Sequence, residues 1–148
     1  MRKMRVYLDN CCYNRPFDDQ RQLRISLETQ AKLFIQSLIV KGEIELLWSY
    51  MLELENSKNP SENKRMSIAG FSSHAVDYIG RSDSVSVIAG KFVQKGLKTS
   101  DALHVACAVE GKADFFITTD DKILKFKSHI QIIDPIALIK SFDHWRSE

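Results

Sequence analysis

At 148 residues the chain is long enough for one domain with a sizeable hydrophobic core. Its 44% hydrophobic and 27% charged residues argue against extensive disorder, and no apolar run reaches the roughly 20 residues needed to cross a membrane. The formal charge is only +2, yet if four of the 19 acidic residues gather at one site, 15 remain against 21 basic ones. A surface of that kind is compatible with a polyanionic partner.

The first residues lack the apolar stretch of a signal peptide, so the expected location is cytoplasmic, with no membrane partner. Three cysteines are present, Cys11, Cys12 and Cys107. Two are adjacent and none forms a CxxC pair, so they are expected to be reduced and buried rather than bridged or zinc-bound.

In chain order, residues 5–8 read as a short buried strand that ends at Asp9. Residues 10–20 are polar, with Pro16 and paired Asp18 and Asp19, and read as a loop. A helix is expected over about residues 20–41, with Leu23, Leu27, Ala31, Phe34 and Leu38 as its core face and Gly42 as its stop. Residues 44–48 form a second apolar strand, and Ser49 can cap a helix that carries Glu53 and Glu55 and stops before Pro60. Ser61 can cap another helix, weakened by Gly70, and residues 75–79 make a third strand.

Ser82 or Ser84 opens the next helix, with Val85, Ile88, Ala89, Phe92 and Val93 on one face and Gly96 after its end. Ser100 can cap a helix over residues 101–110. Residues 114–118 make the strongest strand, followed by a short helix after Asp121, a last strand over 130–133, and a helix from Pro135 to about Phe142. The last few residues are expected to be irregular. Strands alternating with helices predict an α/β fold, a three-layer α/β/α sandwich around a mostly parallel sheet.

Ligand sites in open parallel sheets form outside the carboxyl ends of the strands. Asp9 follows the first strand, Glu53 and Glu55 follow the second, and Asp120 and Asp121 follow the strand at 114–118. Several carboxylates on one edge repel unless cations lie between them, and hard oxygen donors suit Mg²⁺ or Mn²⁺. Each acid also has a plain structural role open to it. Asp9 could cap a turn, Asp101 could be a first-turn helix acid, and Asp120 with Asp121 could start a helix. Glu53 and Glu55 are two apart and cannot share a helix face, so one of them is a surface residue.

Four segments give the sequence a recognisable pattern: Val6-Tyr7-Leu8-Asp9-Asn10, Trp48-Ser49-Tyr50-Met51-Leu52-Glu53-Leu54-Glu55, Ser100-Asp101-Ala102-Leu103-His104-Val105-Ala106-Cys107-Ala108, and Ala113-Asp114-Phe115-Phe116-Ile117-Thr118-Thr119-Asp120. Together they resemble the PIN-domain family, metal-dependent nucleases that include VapC-type toxins. The resemblance covers nearly the whole chain and implies one PIN-like nuclease domain over residues 1–148 with sheet order 3-2-1-4-5. By position it implies Asp9, Glu55, Asp101 and Asp120 as the catalytic acids and metal ligands, Mg or Mn as cofactor and RNA as substrate. A VapC-like toxin would also need an antitoxin protein that covers the cleft, and family members often pair, which makes a homodimer a further expectation.

One departure is Asn10, where many members carry Thr or Ser; its amide can still meet a phosphate oxygen or a bound water. Thr118 and Thr119 could hold the fourth carboxylate. His104 could touch the site or be a packing histidine, and Arg15, Arg21, Lys58 and Lys98 could meet phosphates or solvent. Phe17 and Trp48 could stack on bases, though Trp48 lies in a strand and fits the core.

Two other functions compete. A degenerate PIN domain could bind RNA or protein without catalysis. A phospho-acceptor receiver or phosphatase would need acids or a lysine that the strand ends do not supply, and Cys11 stands where a dehalogenase-type fold needs a second Asp.

Overall fold

The computed structural model describes residues 2–147. Five strands form one parallel sheet in the order β3-β2-β1-β4-β5. They are β1 (Met4–Leu8), β2 (Ile44–Ser49), β3 (Ala75–Ile79), β4 (Phe115–Ile117) and β5 (Gln131–Ile133). Between them lie α1 (Asn10–Asn14), α2 (Leu23–Val40), α3 (Tyr50–Ser57), α4 (Glu62–Phe71), α5 (Asp83–Gln94), α6 (Thr99–Glu110) and α7 (Asp121–Leu124), with α8 (Pro135–Arg146) after the last strand.

The central strands bury residues that point to both sides. Val6, Tyr7 and Leu8 of β1 and Leu46 and Leu47 of β2 are all 0% exposed. Alternate residues of a strand face opposite ways, so burial of consecutive ones requires cover on both faces. Helix α2 packs with α8 and lies against β2, while α5 packs on α6, which crosses β2 and β4. Right-handed crossovers place these two groups on opposite faces. The result is the α/β/α sandwich, with β1 and β4 side by side where the strand order reverses.

Local chemistry explains the helix limits. Ser49, Ser61 and Ser82 cap α3, α4 and α5 by accepting from the backbone N–H groups of Leu52, Lys64 and Val85. Helix α2 ends at Gly42 with φ 78°, a conformation that favours glycine; Glu43 N–H donates to Leu38 O at 2.9 Å to close the turn.

Several expectations need correction. The segment after Asp9 is not all loop: residues 10–14 form α1 and Arg15–Phe17 a 3-10 turn. The cap of α6 is Lys98 rather than Ser100, which falls inside the helix. Gly70 does not break α4, and α8 runs to Arg146, past the expected end at Phe142. Glu148 lies outside the described residues.

The largest correction concerns α2. Leu23, Leu27 and Phe34 are 74%, 45% and 49% exposed, while Glu28, Ala31, Lys32, Ile35, Leu38 and Ile39 are buried. Apolar residues occur all around this helix, so spacing alone could not pick the inward face. Two charged residues enter it because partners or a polar cavity await them.

Glu28 is one of these. Its carboxylate receives Arg15 Nε at 2.9 Å and Arg24 Nε at 3.1 Å. Arg24 also donates to Thr119 O at 3.0 Å and makes a forked pair with Asp121 at 2.8 and 3.0 Å. The network ties α2 to the turn before it and to the segment after β4. Replacing Glu28 with Ala leaves half-buried Arg15 with Asp18 alone and cuts the link between Arg15 and Arg24. We expect urea unfolding to show a loss of ~1.5–3 kcal/mol, whereas Asp19→Ala, which removes a solvent-exposed pair with Arg21, leaves the midpoint unchanged.

Candidate metal and phosphodiester site

The carboxyl ends of β1 and β4 meet at Asp9 and Thr118. Asp9 N–H donates to Ile117 O at 2.9 Å, which extends the β1–β4 pairing by one residue. Thr118 N–H donates to Ile133 O at 3.0 Å and extends the β4–β5 pairing in the same way. The Asp9 side chain is 7% exposed. One of its oxygens accepts from Asn10 N–H at 2.8 Å and the other from Thr118 Oγ at 2.8 Å. The same Thr118 oxygen accepts Asp120 N–H at 3.1 Å. Thr118 therefore holds the first carboxylate and the backbone of the fourth acid, rather than the fourth carboxylate itself.

Asp120 is half-buried, and its carboxylate accepts from Lys122 N–H at 2.8 Å as the cap of α7. Asp101 is half-buried in the first turn of α6. Glu55 lies on the inward side of α3, one turn from buried Met51 and Leu52. Glu53 is exposed on the other side of that helix, beside Tyr78.

A buried polar chain supports Glu55. His104 is 1% exposed, and its Nε2 bonds Glu55 Oε1. Its Nδ1 bonds the Tyr7 hydroxyl at 2.6 Å, and that hydroxyl meets Ser49 Oγ at 2.6 Å. The serine that caps α3 is thus linked through two rings to the glutamate of the same helix.

Electrostatics couple these groups. Burial pushes the Asp9 carboxyl above its usual range, opposed by His104 and the Thr118 and Asn10 hydrogen bonds and aided by Glu55. Burial raises Asp101 too; Lys98 and His104 pull it down, while the Asp9 and Asp120 charges push it up. For Glu55, burial acts upward, but the His104 bond and charge, with Asn10 and Lys98, hold it below the carboxylate norm. Burial would lower His104, yet Glu55, Asp9 and Asp101 together raise it. The surrounding carboxylates favour the protonated form of His104, which fills the roles of both packing residue and neighbour of the site.

Among the described residues, no three His, Cys, Asp or Glu side chains are close enough to hold one ion. Mg²⁺ commonly takes one or two carboxylates and keeps several waters, so an open arrangement of this kind still suits it. The donor set fits a hard cation in two further ways. Every acid brought together offers oxygen, and Asn10 Oδ1 is a buried oxygen without a hydrogen-bond partner.

Cys11, expected to be buried, instead lies at the edge of the site. It is half-buried, with Sγ 3.3 Å from Thr118 Oγ and 3.5 Å from Asp9 Oδ2. Cys12 and Cys107 are buried, and all three are free thiols. Of the four basic residues near the cleft in sequence, Lys98 acts on Asp101 and Glu55, and Lys58 lines a cleft of about 320 Å³ beside Asn10 and Glu55. Phe17 and Lys64 line the same cleft, with Lys64 Nζ 5.4 Å from the Phe17 ring centre. Arg15 and Arg21 are paired with carboxylates, and Trp48 is buried at 3% exposure.

No family model and no curated protein sequence matches the chain. Solved structures do match it. The structure of VapBC2 from Rickettsia felis bound to a DNA fragment from its promoter contains a chain that aligns with TM-score 0.57 at 18% identity, over 88% of this chain and 98% of that one. VapBC-1 from nontypeable Haemophilus influenzae gives TM-score 0.59 at 14% identity, over 90% and 99%. With the strand order 3-2-1-4-5 and helices on both sheet faces, the chain is a PIN-like α/β protein that shares its fold with these VapBC structures.

Proposed function

We propose that residues 1–148 act as a single Mg²⁺- or Mn²⁺-dependent endoribonuclease domain, the toxin of a VapC-type pair, with Asp9, Glu55, Asp101 and Asp120 as its metal ligands and catalytic acids. The observation that carries this reading is the convergence of Asp9, Asp101 and Asp120 near the reversal point of the sheet, close enough that the charges of Asp9 and Asp120 both act on Asp101. A bound divalent cation would acidify a water and neutralise charge on the scissile phosphate. Asp9 would be the main anchor, its two oxygens oriented by Asn10 N–H and Thr118 Oγ. Glu55, kept ionised by His104, would act from the α3 side, and Asp101 and Asp120 would act through water. Lys58, Lys64 and Phe17 along the adjoining cleft would meet phosphates and a base.

The VapBC likeness supports a protein partner, an antitoxin. So does the exposed stripe of Leu23, Leu27 and Phe34 on one face of α2, which a second copy of the chain could cover instead. A cytoplasmic location is consistent with the absence, among the described residues, of any helix long and apolar enough to span a membrane. A second reading, a non-catalytic RNA- or protein-binding module, is favoured by the lack of a closed three-ligand cluster and by the capping role of Asp120.

Cleavage separates the two. With Mg²⁺ or Mn²⁺ the protein is expected to cut RNA, and EDTA is expected to stop it. Asp9→Asn should lower the rate by more than the roughly 100-fold that loss of an outer partner costs, and Thr118→Val, which frees the Asp9 carboxylate, by about 10–100-fold. Cleavage that persists in EDTA would refute the metal mechanism.

Stability should report the same repulsion. Asp9 and Asp101 have raised carboxyl pKa values in the fold, so each contributes stability when protonated and loses it as pH rises through the folded value. The raised His104 acts in the same direction, and Glu55, with its lowered value, is lost only in more acid solution. In EDTA the melting temperature should rise as pH falls from about 8 to about 5. Asp9→Asn should raise it at neutral pH and flatten that slope. A destabilised Asp9→Asn protein would mark Asp9 as a turn cap.

A further inference from the structure

On the far side of Phe17 from Glu55 lies a second cavity of about 190 Å³, enclosed by α1, the turn after it, α2 and α4. Its walls are mainly apolar: Pro16, Phe17, Leu33, Ile68 and Phe71. Four polar side chains interrupt them, Tyr13 and Lys32 in the interior and Gln36 and Ser67 nearer solvent. Lys32 lines the cavity at 4% exposure, and among the described residues its ammonium has no hydrogen bond or ion pair. The nearest favourable contact for Lys32 Nζ is the face of the Tyr13 ring, 5.4 Å from its centre. Tyr13 also lines the cavity; it is 1% exposed, and its buried hydroxyl lacks a partner.

An ammonium on a nearly buried side chain is costly without a charge partner. Evolution usually removes such groups unless something meets them. The other buried charge of α2, Glu28, has two arginine partners, whereas Lys32 faces open space. Desolvation is felt at Lys32 as a pKa lowered to about 8, with only Cys12 acting against it. A ligand that satisfies this cavity needs one anionic head for the ammonium. It also needs a small apolar body for the phenylalanine, leucine and isoleucine walls.

We propose that this cavity is a binding site for a small organic monocarboxylate, whose carboxylate pairs with Lys32 while its apolar body packs between Phe17 and Phe71. The proposal does not rest on the nuclease reading. The site adjoins the Asp9 region through α1 and through Phe17, whose ring lies between the two cavities.

Titration of the full chain with hexanoate and with benzoate tests it, followed by amide shifts in the NMR spectrum and by melting temperature. Saturable shifts confined to residues of α1, α2 and α4 are expected, together with a rise in melting temperature. Hexanol and inorganic phosphate, which carry only one half of the required chemistry, should bind at least about tenfold more weakly. Lys32→Met keeps the volume and removes the charge, so it should abolish the preference of hexanoate over hexanol. Ser67→Trp places bulk at the exposed rim and should weaken both carboxylates even if Lys32→Met does not fold. Absence of saturable carboxylate binding would overturn the proposal, leaving ordered water as the occupant. Phosphate binding as tight as hexanoate, or an unchanged hexanoate affinity in Lys32→Met, would overturn it as well.

Discussion

The burial of the Asp9 carboxylate at the end of the central strand is the constraint around which the molecule is arranged. A nearly buried charge requires partners in every direction, because water cannot supply them. Asn10 N–H and Thr118 Oγ are donated by the two segments that leave the sheet at its reversal point. The strand order 3-2-1-4-5 sets β4 next to β1, so that Thr118 can reach Asp9. The topology and the site are in this sense one feature: another strand order would leave Asp9 beside a different loop and Asp120 elsewhere.

These partners do not remove the strain of gathering like charges. Asp101 and Asp120 arrive from α6 and from the turn after β4, and the charges of Asp9 and Asp120 raise the cost of ionising Asp101. His104 offsets part of it from inside the core, linked to Tyr7 and Ser49 beneath and to Glu55 above. A fold seeking only stability would use fewer acids here. Structural and functional roles coexist in individual residues. Asp9 and Asp120 both cap short helices, and a capping carboxylate keeps a second oxygen for other work.

Much of this could be read in the sequence. The strands announce themselves as short apolar runs, and serines mark the starts of α3, α4 and α5 because their caps are local hydrogen bonds. Helix periodicity separates Glu53 from Glu55 without choosing between them, and the family resemblance implies Glu55; in the structure Glu55 bonds His104 while Glu53 is exposed. What stayed hidden depends on distant contacts. The bond between Tyr7 and His104 joins residues 97 apart, and the partnership of Thr118 with Asp9 spans 109. The five-residue α1 is too short to show a period. In α2, apolar residues all around the helix concealed that Glu28 and Lys32 face inward while Leu23, Leu27 and Phe34 face out. Glu28 points inward to reach Arg15 and Arg24, and no spacing rule reveals such an ion pair.

The account stands on the claim that the Asp9-centred cluster holds a divalent cation, and Mn²⁺ titration by calorimetry tests that without needing the right RNA. Saturable binding is predicted for the wild-type protein, lost in Asp9→Asn and unchanged in Glu53→Gln, which alters an exposed acid outside the cluster. A wild-type protein that takes up no Mn²⁺, or an Asp9→Asn protein that binds it equally well, would contradict the account.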